Sequence, residues 1–144
     1  MKKALLNLLV IPVIAVLPSC DKNEIPEYDV RDEYIGWYQV TDLCDVGEST
    51  YELEVFKADY DDEIGFGFPG LYETGYDVTA LVTGMKIIIP IQQFYVSTVP
   101  EIFYEFSGSG SLEGNVLTIE YRVLTIQNGL IMDDVDCSAS LVRQ

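Results

Sequence analysis

The chain has 144 residues, 24 acidic against 8 basic side chains, a formal charge of −16 and no histidine. The missing histidine excludes Ser-His-Asp and Cys-His triads and imidazole metal sites, and the charge repels nucleic acid and anionic membrane surfaces. The length suits one domain of ordinary size and is too short for two.

The first element reads as an export signal. Met1-Lys2-Lys3 is a basic start, and the run from Ala4 to Leu17 is apolar apart from Asn7. It is too short for a spanning helix, which takes about 20 apolar residues, and it contains Pro12. Leu17-Pro18-Ser19-Cys20 resembles the bacterial lipobox, although Pro18 departs from the small or β-branched residue usual at its position. The resemblance implies cleavage after residue 19 and lipidation of Cys20, with an ordinary secreted protein as the alternative. The mature chain would then begin at Cys20 and keep 125 residues, and loss of Lys2 and Lys3 takes the charge from −16 to −18. Residues 20–33, polar and interrupted by Pro26, read as a flexible tether. Cys-Asp-Lys-Asn-Glu loosely resembles a surface-export signal of Bacteroidetes lipoproteins. The expected location is the cell envelope, at the outer rather than the inner membrane, with the bilayer as partner through the lipid on Cys20.

Residues 34–144 are expected to form one all-β domain, because β-branched and aromatic residues are punctuated by glycine turn signals about every ten residues. The predicted strands are 34–43, 50–57, 63–68, 76–82, 86–91, 102–111, 115–124 and 135–143. In the second, Tyr51, Leu53 and Val55 alternate with Glu52 and Glu54, so one face is buried. The third is weak because Gly65 and Gly67 leave nothing to pack on one face; an irregular edge or a loop is the alternative. In the fifth, Ile87-Ile88-Ile89 suggests cover on both faces, and Pro90 suggests that strand pairing ends there. Short connections make an antiparallel meander the simplest topology, and eight strands can close into a barrel without exposed edges.

With Cys20 assigned to lipid, Cys44 and Cys137 remain in a compartment that permits disulfides. Cys44 ends the first strand and Cys137 lies near the start of the last. In a closed meander these two strands are antiparallel neighbours, so a Cys44–Cys137 bond agrees with closure; two buried free thiols are the alternative.

Tyr34-x-Gly36-x-Tyr38, the glycine-rich stretch from Ser107 to Asn115, the strand Leu117-Thr118-Ile119-Glu120-Tyr121-Arg122-Val123 and the closing Asp136-Cys137-Ser138-Ala139-Ser140-Leu141 resemble the small lipocalin-like (calycin) lipoproteins of Bacteroidetes. The resemblance covers residues 34–143. It implies a barrel open at one end to a small apolar ligand, with Tyr38 where lipocalins carry a first-strand tryptophan and Arg143 as the basic residue packed over it. Trp37 stands one position early, on the opposite face.

The remaining candidates are few. Asp59-Tyr60-Asp61-Asp62-Glu63 fails as a calcium loop, since Ile64 stands where the sixth-position glycine belongs and Gly70 where the twelfth-position glutamate belongs. Asp133, Asp134 and Asp136 form a second acidic group, and no carboxylate pair stands out for hydrolysis. No catalytic residue, metal or other cofactor is expected. Trp37, Phe56 and Phe103 have outward parity and suggest an exposed patch, with core packing as the alternative. The segment 65–75 is the candidate mouth loop, either lid or plug. Tyr38, Phe66, Phe68 and Tyr72 are the expected ligand-binding residues. The leading expectation is a non-enzymatic binder of a small apolar ligand; the competing one is a protein- or glycan-binding module with a solid core.

Overall fold

The computed structural model describes residues 27–67 and 69–144. The export segment and Cys20 lie outside the described residues, as does Phe68. Eight antiparallel strands in chain order close into one barrel: β1 (Gly36–Cys44), β2 (Gly47–Lys57), β3 (Glu63–Phe66), β4 (Val78–Thr83), β5 (Lys86–Thr98), β6 (Glu101–Glu113), β7 (Val116–Gln127) and β8 (Leu130–Arg143).

Alternation builds the core. Tyr51, Leu53 and Val55 of β2 point inward while Glu52 and Glu54 face water. Leu117, Ile119, Tyr121 and Val123 of β7 stand opposite Leu141, Ala139, Cys137 and Val135 of β8, all of them buried. The barrel closes where β8 pairs with β1, from Tyr38 opposite Arg143 to Cys44 opposite Cys137. Cys44 and Cys137 are joined by a disulfide.

The third predicted strand is present and paired on both sides, because the Phe56 ring lies over Gly65, where a Cβ would come within 2.4 Å of it. Two expectations change. The isoleucine run is covered on one face only: Ile87 and Ile89 are buried and Ile88 is exposed. Pairing in β5 continues past Pro90 to Thr98, because a bulge absorbs the proline. There the Gln92 side-chain amide replaces a ladder partner, accepting from Thr79 N at 2.9 Å and donating to Thr79 O at 2.6 Å.

Gly108 and Gly110 occupy inward positions of β6, opposite Tyr121 and Ile119. A Cβ on Gly108 would lie 2.5 Å from the Glu120 carbonyl oxygen and 2.7 Å from Tyr121 Cβ, so β6 can approach β7 only without a side chain there. Gly108→Ala is expected to destabilise the fold by about 1–3 kcal/mol through overpacking. The check is the midpoint of thermal unfolding by circular dichroism; an unchanged midpoint would mean that the two strands have room to part.

One end of the barrel is sealed where the chain enters β1. Val30–Glu33, placed in the tether by sequence, forms a 3₁₀ turn capped by Asp29, whose carboxylate also meets Arg31 and Lys57 at 2.8 Å each. These two cations hold the Asp29 carboxyl well below the usual carboxylate range. Beneath the turn, Tyr38 Oη donates to Tyr34 O at 2.8 Å and accepts from Arg143 Nη2 at 2.9 Å. The Arg143 guanidinium carbon lies 5.5 Å from the Tyr38 ring centre, and Arg143 also donates to Glu33 O. Tyr38, and not the exposed Trp37, is the aromatic that the final-strand arginine covers.

Candidate functional site

The opposite end differs because the strands are unequal. β3 and β4 have 4 and 6 residues, whereas β5, β6, β7 and β8 have 13, 13, 12 and 14. Pairing of β4 with β5 stops at Leu81–Ile88, and pairing of β1 with β8 stops at Cys44–Cys137. The four long strands therefore continue past their neighbours as a lip, and a two-residue turn at Asn128-Gly129, both at positive φ, joins β7 to β8.

Below the lip, residues 69–77 cross the barrel mouth as a plug. Gly67 N donates to Glu54 O at 2.8 Å and Gly75 N to Pro69 O at 2.7 Å. Gly70 needs its positive φ of 76°, since a Cβ there would meet Tyr76 O at 2.4 Å. Leu71 is fully buried, and Tyr72 and Glu73 adopt left-handed φ of 59° and 51°, costly for residues with side chains. Tyr76 stacks on Phe94 at 5.0 Å, Phe94 meets Phe106 edge-on at 5.8 Å, and Phe106 stacks on Tyr121 at 6.5 Å.

This aromatic chain ends on Asp42, the one buried acid among the described residues, 1% exposed. Tyr51 Oη donates to Asp42 Oδ2 at 3.1 Å, and Tyr121 Oη donates to the same oxygen. Burial raises the Asp42 pKa; the two phenols and the Tyr72 backbone pull it down, and Glu73 pushes it up. Burial, and next the charge of Asp42, push both Tyr51 and Tyr121 up. The sequence reading passed over Asp42, though its parity with Tyr38 and Val40 was the signal that could have found it. Chemically the arrangement is a satisfied polar clasp between barrel wall and plug.

The outer face of the lip is apolar. Register places Tyr95, Phe103, Ile126 and Ile131 side by side across β5, β6, β7 and β8. Phe94 and Tyr104, one residue from the first two, pack on the core instead, so the row points outward. Tyr95 and Ile131 are 63% and 61% exposed, and the Tyr95 and Phe103 rings lie 5.8 Å apart. Val99, Leu130 and Met132 extend the patch at the hairpin tips.

The structure places Tyr38 at the opposite end of the barrel from Tyr72. Tyr38 is buried at the sealed end, Phe66 is fully buried in β3, Phe68 lies outside the described residues, and Tyr72 sits half-buried in the plug. Four clefts among the described residues open outward. Those of about 490 and 470 Å³ lie on the outer face around Ser109, Glu120 and Arg122, one of about 400 Å³ lies by Glu27–Arg31, and one of about 220 Å³ lies beside the plug. Trp37 and Phe56 lie toward the sealed end and Phe103 on the lip, so they form no common patch. Of the acidic groups, Asp134 pairs with Arg122, and Asp61 lies beside the Glu27–Arg31 cleft. The carboxylate and sulfur atoms of Asp42, Cys44 and Cys137 lie within 4.8 Å of one another, but the disulfide leaves no thiolate to ligate a metal.

No protein-family model matches the chain, and no curated protein matches it. Among solved structures it is similar to a redesigned β-barrel, at 13% identity over 82% of this chain and 97% of that one, with a TM-score of 0.45. A likeness that distant has no bearing on function.

Proposed function

We propose that the chain is a lipocalin-like bacterial lipoprotein, held at the outer membrane by lipid on Cys20, that acts without catalysis as an interaction module and offers its lip to a protein partner. The observation that carries this is the outward row Tyr95, Phe103, Ile126 and Ile131, which spans four strands and is extended by Val99, Leu130 and Met132. Contiguous outward apolar surface of this kind, exposed at Tyr95 and Ile131 and half-buried at Phe103 and Ile126, marks partner sites, where tyrosine is enriched. The described interior is packed with side chains, which favours a solid module over a small-ligand carrier. The lipobox-like Leu17-Pro18-Ser19-Cys20 supports the anchor.

The test is site-specific photo-crosslinking in the producing cell, with the crosslinker at Ile126 or, as control, at Glu52 on the outer face of β2. Adducts at Ile126 are expected and should fall about tenfold with Ile131→Asp, the loss of roughly 1.4 kcal/mol of binding. Cys20→Ser is expected to abolish palmitate labelling and move the chain to the soluble fraction. Equal adducts at both positions would overturn the docking face, and palmitate label retained in Cys20→Ser would overturn the anchor. A small molecule co-purifying at one per chain in a native mass spectrum would turn the reading toward ligand carriage.

A further inference from the structure

The lip also has a strand edge without a strand beside it. β8 begins at Leu130, but β1 covers it only from Cys137 onward, and among the described residues no strand flanks Leu130–Val135 on the side away from β7. The direction of its backbone groups can be read from Asp136. Asp45 N donates to Asp136 O at 3.1 Å, and Asp136 N donates to Asp45 Oδ2 at 3.5 Å, so both groups of Asp136 face the β1 side. Alternation in a strand then turns the N–H and C=O of Asp134 to the same edge. There the Asp134 N–H donates at 3.0 Å to Asp133 Oδ1, a side chain standing where a neighbouring strand would put its carbonyl.

The edge is chemically selective. It carries Asp133, Asp134, Asp136 and Asp45, and the nearby cation Arg122 is already paired with Asp134. Ile131 supplies apolar surface on its outer face, with Leu130 one residue away. A strand added here would donate to the Asp134 carbonyl and replace Asp133 Oδ1 as the acceptor of the Asp134 N–H, and its side chains would stand beside those of β8. Opposite Leu130 and Ile131 it needs apolar residues, and opposite the aspartates basic ones. A second copy of this chain would bring the same acids and be repelled, as would an anionic bilayer. Acids on an edge also guard against self-pairing, and the same feature sets the charge of what can pair.

We infer that the Leu130–Asp134 edge of β8 receives an extended segment of a partner protein, apolar at one end and basic at the other, by strand addition. The inference rests on the lip being the docking face. The experiment is hydrogen exchange on the full chain with a short Val–Lys peptide, Lys-Lys-Thr-Val-Val, or its Val–Glu counterpart, Glu-Glu-Thr-Val-Val, as probe. Exchange over Leu130–Asp134 is expected to slow about tenfold with Val–Lys and not with Val–Glu, and Asp133→Lys should remove most of that slowing. Equal slowing by both peptides, slowing at other strands only, or protection by self-association seen in sedimentation would each overturn it. If the Ile126 adducts persist while neither peptide slows exchange, strand addition falls and the docking face stands. If adducts and slowing are both missing, both fall.

Discussion

Replacing both cysteines, as Cys44→Ala with Cys137→Ala, is expected to lower the unfolding free energy by about 4 to 5 kcal/mol and the melting midpoint by roughly 10 to 20 °C. The bond links positions separated by 93 in sequence, so it removes a long loop's closure entropy from the unfolded chain. It also sits at the last pair of the β1–β8 register, at the root of the lip, where the first and last strands of the meander must find each other. In the folded state Cys137 is buried and packs on the core with Cys44 beside it, so two alanines leave little more than a small void. Thermal unfolding of the variant beside the parent, each with and without a dithiol, is the measurement. The parent alone should respond to reductant, and a midpoint within about 2 °C of the parent would count against entropy as the origin of the effect.

That bond was legible because the cysteine assigned to lipid left one pairing, and eight strands in meander order put its two halves side by side. Strands with clean alternation, such as Tyr51-Glu52-Leu53-Glu54-Val55, were equally legible. The misjudged stretches are those where a device interrupts the period. At Pro90 a bulge and the Gln92 amide carry the sheet past a residue with no N–H. Before Val135, the step between Thr125 and Ile126 makes Met132 an extra residue, so Leu130 to Asp134 shows no alternation, although Asn128-Gly129 is itself a strong hairpin signal. The third strand was predicted, and what one strand's sequence does not show is that Phe56, a residue of another strand, fills the void over Gly65.

The docking face was less legible, for a reason of geometry. Parity along one strand tells which side a residue faces, and it placed Trp37 and Phe103 outward. It does not tell which end of the barrel a residue occupies or which residue of the next strand lies beside it. Tyr38 and Tyr72 were grouped as ligand residues although β1 begins at the sealed end and the plug lies at the other. Conversely, Tyr95, Phe103, Ile126 and Ile131 become one surface only through three registers, with irregularities in two of the strand pairs.

Asp42→Ala is expected to destabilise the protein by about 2–6 kcal/mol, because the buried Tyr51 and Tyr121 hydroxyls lose a common acceptor at about 1–3 kcal/mol each. Asp42→Asn keeps an acceptor oxygen and is expected to cost less, and the pH dependence of that variant isolates the carboxyl. Burial raises the Asp42 pKa above its ordinary 3.8, with Glu73 pushing the same way, so folding shifts Asp42 toward its protonated form relative to the unfolded chain. Its favourable contribution is therefore complete below the unfolded value and is lost as pH rises through the folded one. Asp29 and Asp134, held low by Arg31 with Lys57 and by Arg122, act in the opposite sense: their contribution is present above the unfolded value and is lost as pH falls through the folded one. Both are retained in Asp42→Asn, so they cancel in the difference between the two proteins. Thermal unfolding from about pH 4 to 7 should show the parent's advantage over Asp42→Asn shrinking as pH rises. An advantage that grows instead would mean that the two phenols and the Tyr72 backbone hold the carboxylate ionised against burial, and the clasp would then be strongest in its charged form.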